Sequence, residues 1–490
     1  MTSTPDTSTT AGKIADLRNR LAETRTPVGE DAIRALHESG RVSARERVEL
    51  LLDEGSFVET DALARHRSTA FGANRKRPVT DGIVAGHGTV DGRPVCVFSQ
   101  DSTIFDGQLG ETAGEKILKV AELALKSGTP LVGIYDGAGA RVKEGMAALE
   151  YFTRIYRLQS QASGVIPQIA IVAGPTSAAQ AHGVSLADVV IEVADHGHVQ
   201  LDVAGAGSTA ADAAHGLAHL VAADDEAAVA LAADVLGFFP SNNRAVPMPA
   251  EAVDPAADAS SLDSLVPDSD ATAYDIRHGL DHVVDAGSLL ELQPQFAPNI
   301  ITAFARVAGR SVGLVANQPE HLAGALDADA TEKAARFIRT CDTFNIPVVT
   351  FVDCPGFAPD EEDALLVRRS AKLLGATANA SVGLISVVTR KAFGSAYLAL
   401  GAKKMGTDLV FAWPTAQIAV ADAETISEAV GKDVDTVTEL LVNPYAAAER
   451  GLVDAVIPPR ETRQRISEGL RLLERKISDG FDRKHENLPF

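Results

Sequence analysis

Gly88–Phe98 reads GTVDGRPVCVF, and Ala305–Val315 reads ARVAGRSVGLV. Val90, Gly92, Arg93 and Val95 of the first segment meet Val307, Gly309, Arg310 and Val312 in the second, at a separation of 307 − 90 = 217 residues. Without a gap, the same separation carries Gly107 to Gly324, Glu115 and Lys116 to Glu332 and Lys333, Pro130 to Pro347, Asp136 to Asp353, and Gly139 to Gly356. Identities held in one register over this length mark an internal duplication. Around the first copy, the apolar runs DGIVAGHGTV and RPVCVFSQD have strand character. A helix-like stretch from Gly114 to Lys126, the strand PLVGIYD, a second helix-like stretch from Glu144 to Ser163 and the strand QIAIVAGP follow. Strand and helix alternate, so the expected class is α/β, built twice.

The rest of the chain agrees with a large globular protein. It has 490 residues, 46% of them hydrophobic and 23% charged, enough for more than one core. Residues 1–12 are rich in Ser and Thr and read as a disordered tail. The first domain is expected over 13–250, a Pro-, Ala- and Asp-rich linker over 251–272, and the second domain over 273–490. A net charge of −21 argues against nucleic acid and anionic membrane surfaces as partners. No run approaches the ~18 apolar residues of a membrane span, and the N-terminus lacks the basic start and apolar core of a signal peptide. With Cys96, Cys341 and Cys354 lacking paired spacing, a cytoplasmic protein with core cysteines is expected.

The candidate site begins at GPTSAAQAHG, residues 174–183, directly after the apolar run VIPQIAIVA. Ser177, Ala178, Ala179 and Ala181 keep side chains small where a buried strand should meet a helix. Close packing is one reason for that, and approach of a ligand to the backbone is the other. The repeat register gives 178 + 217 = 395, so Ala178 and Ala179 fall on Ser395 and Ala396 in VTRKAFGSAYLAL. Small residues after a strand in both copies favour the second reading: backbone amides at such a turn can stabilise a developing oxyanion. GAGSTA, residues 205–210, fits a dinucleotide pattern but sits late in a domain and reads as a turn. His182, His196 and His198 have no evident third ligand, so no metal is expected. Arg141, Arg390 and Lys391 lie beside strand ends, where structural ion pairing competes with recognition of a phosphate or carboxylate.

Several of these segments also carry a resemblance. SARERVELLLDEGSFVE (43–59), VFSQDSTIFDG (97–107), GARVKEG (139–145), NIITAFARVAGRSVGLVANQP (299–319), KAARFIRTCDTFNIPVVTFVDCPGF (333–357) and VTRKAFGSAY (388–397) resemble the carboxyltransferase β subunits of biotin-dependent acyl-CoA carboxylases, of the propionyl-CoA carboxylase type, over about residues 13–487. That resemblance implies two crotonase-like (ββα-superhelix) domains and an oligomer, usually a hexamer. It implies a partner α subunit with biotin carboxylase and biotin carboxyl carrier functions, and carboxybiotin on that partner as the donor to a CoA thioester. It also implies two backbone oxyanion holes, at Ala178 and Ala179 and at Ser395 and Ala396. Gly139, Ala140, Arg141, Gly174, Tyr397 and Leu398 then fall on the acyl-CoA side, and Gly356, Phe357, Ala364 and Leu365 on the biotin side.

The chain departs from the family pattern at the sites themselves. The pattern has Gly-Gly where this chain has Ala178-Ala179, and Gly-Ala where it has Ser395-Ala396. A Gly pair is replaced by Ala364 and Leu365, and a segment after HVQLD is shorter. The alternatives to an active carboxyltransferase are a catalytically degenerate structural or regulatory subunit and a crotonase-fold acyl-CoA enzyme that has lost biotin dependence.

Overall fold

The computed structural model describes residues 5–201, 207–358, 363–478 and 487. It divides into two compact units, residues 1–237 with 241–243 and residues 238–240 with 244–490. The break therefore precedes the expected linker. Residues 251–272 belong to the second unit, where the turn Ala259–Ser264 buries Leu262 against the core that holds Ile276 and Leu280. The tail is also shorter than expected: a helix starts at Thr10, with the Thr9 side chain accepting a hydrogen bond from the Gly12 amide at 3.0 Å.

The first unit holds β1 (Val58–Glu59), β2 (Ile83–Val90), β3 (Arg93–Gln100), β4 (Leu131–Tyr135), β5 (Gln168–Val172), β6 (Pro175–Ser177), β7 (Val189–Val193), β8 (His198–Gln200) and β9 (Leu220–Ala222). Its sheet runs β1-β2-β3-β4-β5-β7-β9, antiparallel as far as β3 and parallel beyond it, while β6 and β8 pair apart from it. The second unit holds β10 (Leu290–Leu292), β11 (Ile300–Val307), β12 (Arg310–Asn317), β13 (Val348–Cys354), β14 (Leu384–Phe393), β15 (Leu409–Ala412), β16 (Gln417–Ala419) and β17 (Ala455–Val456). Its sheet runs β10-β11-β12-β13-β14-β15-β17, with β16 beside the end of β14. The central parallel strands β4, β5 and β7 are buried throughout, as LVGIY, QIAIV and VVIEV read.

Each unit opens its main run of strands with a hairpin whose two turn residues have positive φ: Asp91 and Gly92 at 50° and 74°, and Ala308 and Gly309 at 51° and 78°. A carboxylate from elsewhere cradles each turn. Asp53 accepts from the Asp91 and Gly92 amides at 3.0 and 2.8 Å, and Asp285 accepts from Ala308 and Gly309 at 2.8 and 2.7 Å. The helix after each hairpin, Glu111–Ser127 and Ala328–Thr343, packs a largely buried face on its sheet.

The duplication holds at 217 residues through β4 and β13, then slips by one. Leu131 pairs with Gln168 and Val348 with Leu384, so 348 − 131 = 217 but 384 − 168 = 216. The shorter connection lies between the ends of β13 and β14. Pro175 pairs with His198 and Lys391 with Gln417, which keeps the 216 register (391 − 175) into the turn that follows. The structural counterpart of Ala178 is thus Gly394, and that of Ala179 is Ser395, correcting the equivalence read from an unbroken repeat.

Candidate active site

In the first unit, the chain leaves β6, turns sharply at Ala178 and enters the helix Ala179–Ser185. Ala178 has φ 53° and ψ −128°, a conformation that disfavours a side chain with a Cβ. Its amide donates to the Gln200 carbonyl at 3.1 Å, which fixes the turn on β8. The next two amides, of Ala179 and Gln180, open the helix and have no acceptor among the described residues.

The loop after β4 lies against this turn. Ala138 bridges to Ser177, and a methyl group on Gly139 would sit 3.1 Å from the Ala178 Cβ, so only glycine lets the two backbones approach. Gly139 has φ 71°, and neither its amide nor that of Ala140 has an acceptor among the described residues. Gln180, buried, donates from Nε2 to the Gly139 and Gly107 carbonyls at 3.1 and 3.2 Å. The Tyr156 hydroxyl donates to the Ala179 carbonyl. Two strand ends, tied together by Gln180, therefore present uncommitted N–H groups at a half-buried mouth.

The other residues expected on the acyl-CoA side divide. Arg141 is 6% exposed and its guanidinium is committed: Nη1 meets Asp81 at 3.0 Å and Glu144 at 2.7 Å, Nη2 donates to the Gln108 carbonyl at 3.1 Å, and the plane lies 4.3 Å from the Phe105 ring centre. It anchors the loop through both terminal nitrogens, and its Nε is buried without a partner among the described residues. Gly174 faces inward. A methyl group there would lie 2.0 Å from Asp136 Oδ1, and Asp136 in turn binds Arg41 and Arg47 at 2.5 and 2.9 Å.

The second unit repeats the arrangement. Gly394 has φ 59° and opens the helix Gly394–Gly401 straight from β14. The loop after β13 carries Gly356, with φ 145°, and Phe357, which bridges to Leu326. The amides of Phe357 and Ser395 have no acceptor among the described residues. Ser395 is exposed, Ala396 buried, and Leu398 is 47% exposed one turn along the helix. Tyr397 is buried, and burial pushes its hydroxyl up to about 12. Ala364 is exposed and Leu365 half-buried at the start of the helix Asp363–Asn379. Arg390 and Lys391 are structural: Arg390 Nε binds Asp353 at 2.9 Å, and Lys391 Nζ donates to the Asp270 carbonyl at 3.0 Å.

His182 is exposed, with its ring 6.1 Å edge-on from that of Tyr156, and no group of three or more His, Cys, Asp or Glu poised for a metal occurs among the described residues. The dinucleotide-like stretch from Gly205 begins outside the described residues. Gln180, Asp81 and Lys116 were not singled out as site residues from sequence. The repeat does pair Lys116 with Lys333, which was the available signal for one of them.

Comparison with known proteins supplies the deciding observation: residues 35–488 match the carboxyl transferase domain. The chain belongs to that family. It is similar to the biotin-dependent acetyl-/propionyl-coenzyme A carboxylase beta5 subunit of Mycobacterium tuberculosis, with 46% identity over 99% of this chain and 96% of the relative. It is equally similar to the propionyl-CoA carboxylase beta chain of Saccharopolyspora erythraea, at 46% identity over 99% of this chain and 97% of that one. Among solved structures, the transcarboxylase 12S hexamer crystallised with methylmalonyl-coenzyme A superposes with a TM-score of 0.94 at 37% identity, covering 98% of this chain and 99% of that one. The carboxyl transferase chain described here is thus a β-type subunit of the biotin-dependent acyl-CoA carboxylases, with the crotonase-like fold.

Proposed function

We propose that this carboxyl transferase moves a carboxyl group from carboxybiotin on a partner α subunit to the α-carbon of an acyl-CoA, and that backbone amides do the protein's share of the chemistry. The observation that carries this reading is the doubled turn. Ala178 and Gly394 hold φ 53° and 59° at the same register, each beside a strand-end loop with uncommitted N–H groups. In the first unit, the amides of Ala179 and of Gly139 or Ala140 receive the thioester oxygen and stabilise charge as it builds there. In the second, the amides of Phe357, Ser395 and Ala396 face the biotin side, with Gly356, Ala364 and Leu365 leaving room for the ring. Carboxybiotin, when bound, supplies the carboxyl group. Leu398 and Tyr397 border the acyl chain, while Arg141 and Gly174 support the first site from behind. The working assembly is a hexamer of β subunits with a biotin carboxylase and carrier chain as partner.

The Ala178 methyl group does not abolish the turn, since the conformation is held by the Gln200 carbonyl on one side and the Tyr156 tether on the other. Incubation with a biotin carboxylase/carrier subunit, ATP, labelled bicarbonate and a panel of acyl-CoAs should therefore give acyl-CoA-dependent label fixation. Replacing Ala178 and Ala179 together by Gly should change that rate less than about ten-fold, because a missing oxyanion donor is worth ~10²–10³. Association with the partner without turnover in either form would leave the chain a structural subunit.

A further inference from the structure

In the first unit, the loop bearing Gly139 and Ala140 is anchored by buried charge. Just before β2, Thr80, Asp81 and Gly82 take φ values of 68°, 50° and 83° in succession, and all three are buried. Two of them carry a Cβ, and Thr is β-branched, so the turn is strained and must be held. The buried Lys116 holds it from the helix Glu111–Ser127, its Nζ donating to the Thr80 and Ile83 carbonyls at 3.0 and 2.5 Å. So held, the Asp81 carboxylate points at Arg141 and accepts from Nη1 with both oxygens, at 3.0 and 3.2 Å. Glu144 binds the same nitrogen at 2.7 Å, and its other oxygen accepts from the Glu111 amide at 2.7 Å. A methyl group on Gly110 would lie 2.5 Å from both Arg141 and Glu144, so the cluster fills its space.

Arg141 is contiguous with the donor edge. Its amide donates to the Leu109 carbonyl at 2.8 Å, and the Leu109 amide donates to the Gly139 carbonyl at 2.9 Å. Anything that fixes Arg141 therefore fixes the plane of the peptides at 139 and 140. At the 217-residue register, the second unit has Pro298 and Ala358 where the first has Asp81 and Arg141, so this Asp–Arg pair is not repeated at those positions.

We propose that Asp81 is a positioning residue for the first site: through the fork of Arg141, it fixes the Gly139–Ala140 edge against the Ala178 turn. This rests on the reading of those amides as thioester-oxygen donors. An anchor outside the reacting centre acts on the rate step more than on acyl-CoA binding, because the CoA body is held elsewhere while the donors drift.

The test uses the reconstituted holoenzyme. Asp81→Asn should lower kcat about 100-fold while KM for acyl-CoA stays within about three-fold. Asp81→Glu should recover most of the loss. Arg141→Lys should reproduce it, because an ammonium cannot span Asp81, Glu144 and the Gln108 carbonyl. The double variant Asp81→Asn, Arg141→Lys should be no slower than the worse single one, since both cut the same link. Hydrogen exchange should show residues 137–145 opening in Asp81→Asn while 189–193 stay unchanged. Unchanged kcat in an active holoenzyme, or a rise in KM alone, overturns the proposal. If the unmutated holoenzyme shows no turnover, the functional reading fails by itself, and unaltered exchange over 137–145 then overturns the anchoring separately.

Discussion

Ala178 holds a turn shaped for glycine, and the cost is local. An Ala at φ 53° and ψ −128°, outside the αL well, costs roughly 1–3 kcal/mol, partly offset because Gly loses more freedom on folding. Ala178→Gly should therefore stabilise the first unit by about 1 kcal/mol, read as a raised denaturation midpoint. Ala179, helical and one residue on, should gain nothing from the same change and should lose up to about 1 kcal/mol. At Leu398 the consequence is selectivity: an apolar branch beside the proposed acyl pocket should favour longer chains over propionyl. Leu398→Asp should move the ratio of kcat/KM values back toward propionyl-CoA, and an unmoved ratio places the acyl pocket elsewhere. That small residues gather at 174–183 was legible in the sequence, because an apolar run ends there in both halves. The one-residue error at 395 was not avoidable from identities, since the matches stop at Gly356 and the slip falls beyond it, between the helix that ends at Asn379 and β14.

At the scale of elements, the hairpins and central strands were legible from their apolar runs, but what braces them was not. Asp53 and Asp285 reach their turns from 38 and 23 residues away, and no periodic pattern links a carboxylate to amides so distant. Asp285→Ala should cost about 1–3 kcal/mol, as the Ala308 and Gly309 amides and the Arg463 guanidinium lose their acceptor. Strand β7 hides a different feature. Glu192 is fully buried, and burial together with the nearby Asp212 carboxylate pushes it up to about 9. Asp212 in turn accepts from the Val199 amide at 2.8 Å. A carboxyl raised on folding adds stability below its unfolded value near 4.5, and loses it as pH climbs toward 9. Glu192→Gln should therefore stabilise by about 1–3 kcal/mol at pH 8, with the gain shrinking toward pH 5; a pH-independent difference in midpoint would contradict this.

At the scale of the whole molecule, duplication predicts two donor edges per chain, one suited to each reacting partner, and an assembly larger than the 51.3 kDa monomer. Light scattering at micromolar concentration should report a multiple of that mass. Lys333 ends a comparison that the sequence opened and could not finish. The repeat pairs it with Lys116, but only the fold shows its Nζ within 3.4 Å of four carbonyl oxygens, from Gln293, Phe296, Ala297 and Ile300. Such a ring of oxygens is what a protein offers to a dehydrated potassium ion. Here the cation is leashed to the chain and cannot be exchanged with solvent. The native protein should thus be indifferent to which alkali salt surrounds it at fixed ionic strength, whereas Lys333→Ala, with the ring vacated, should melt earlier and regain part of the loss in potassium or ammonium but not in tetramethylammonium.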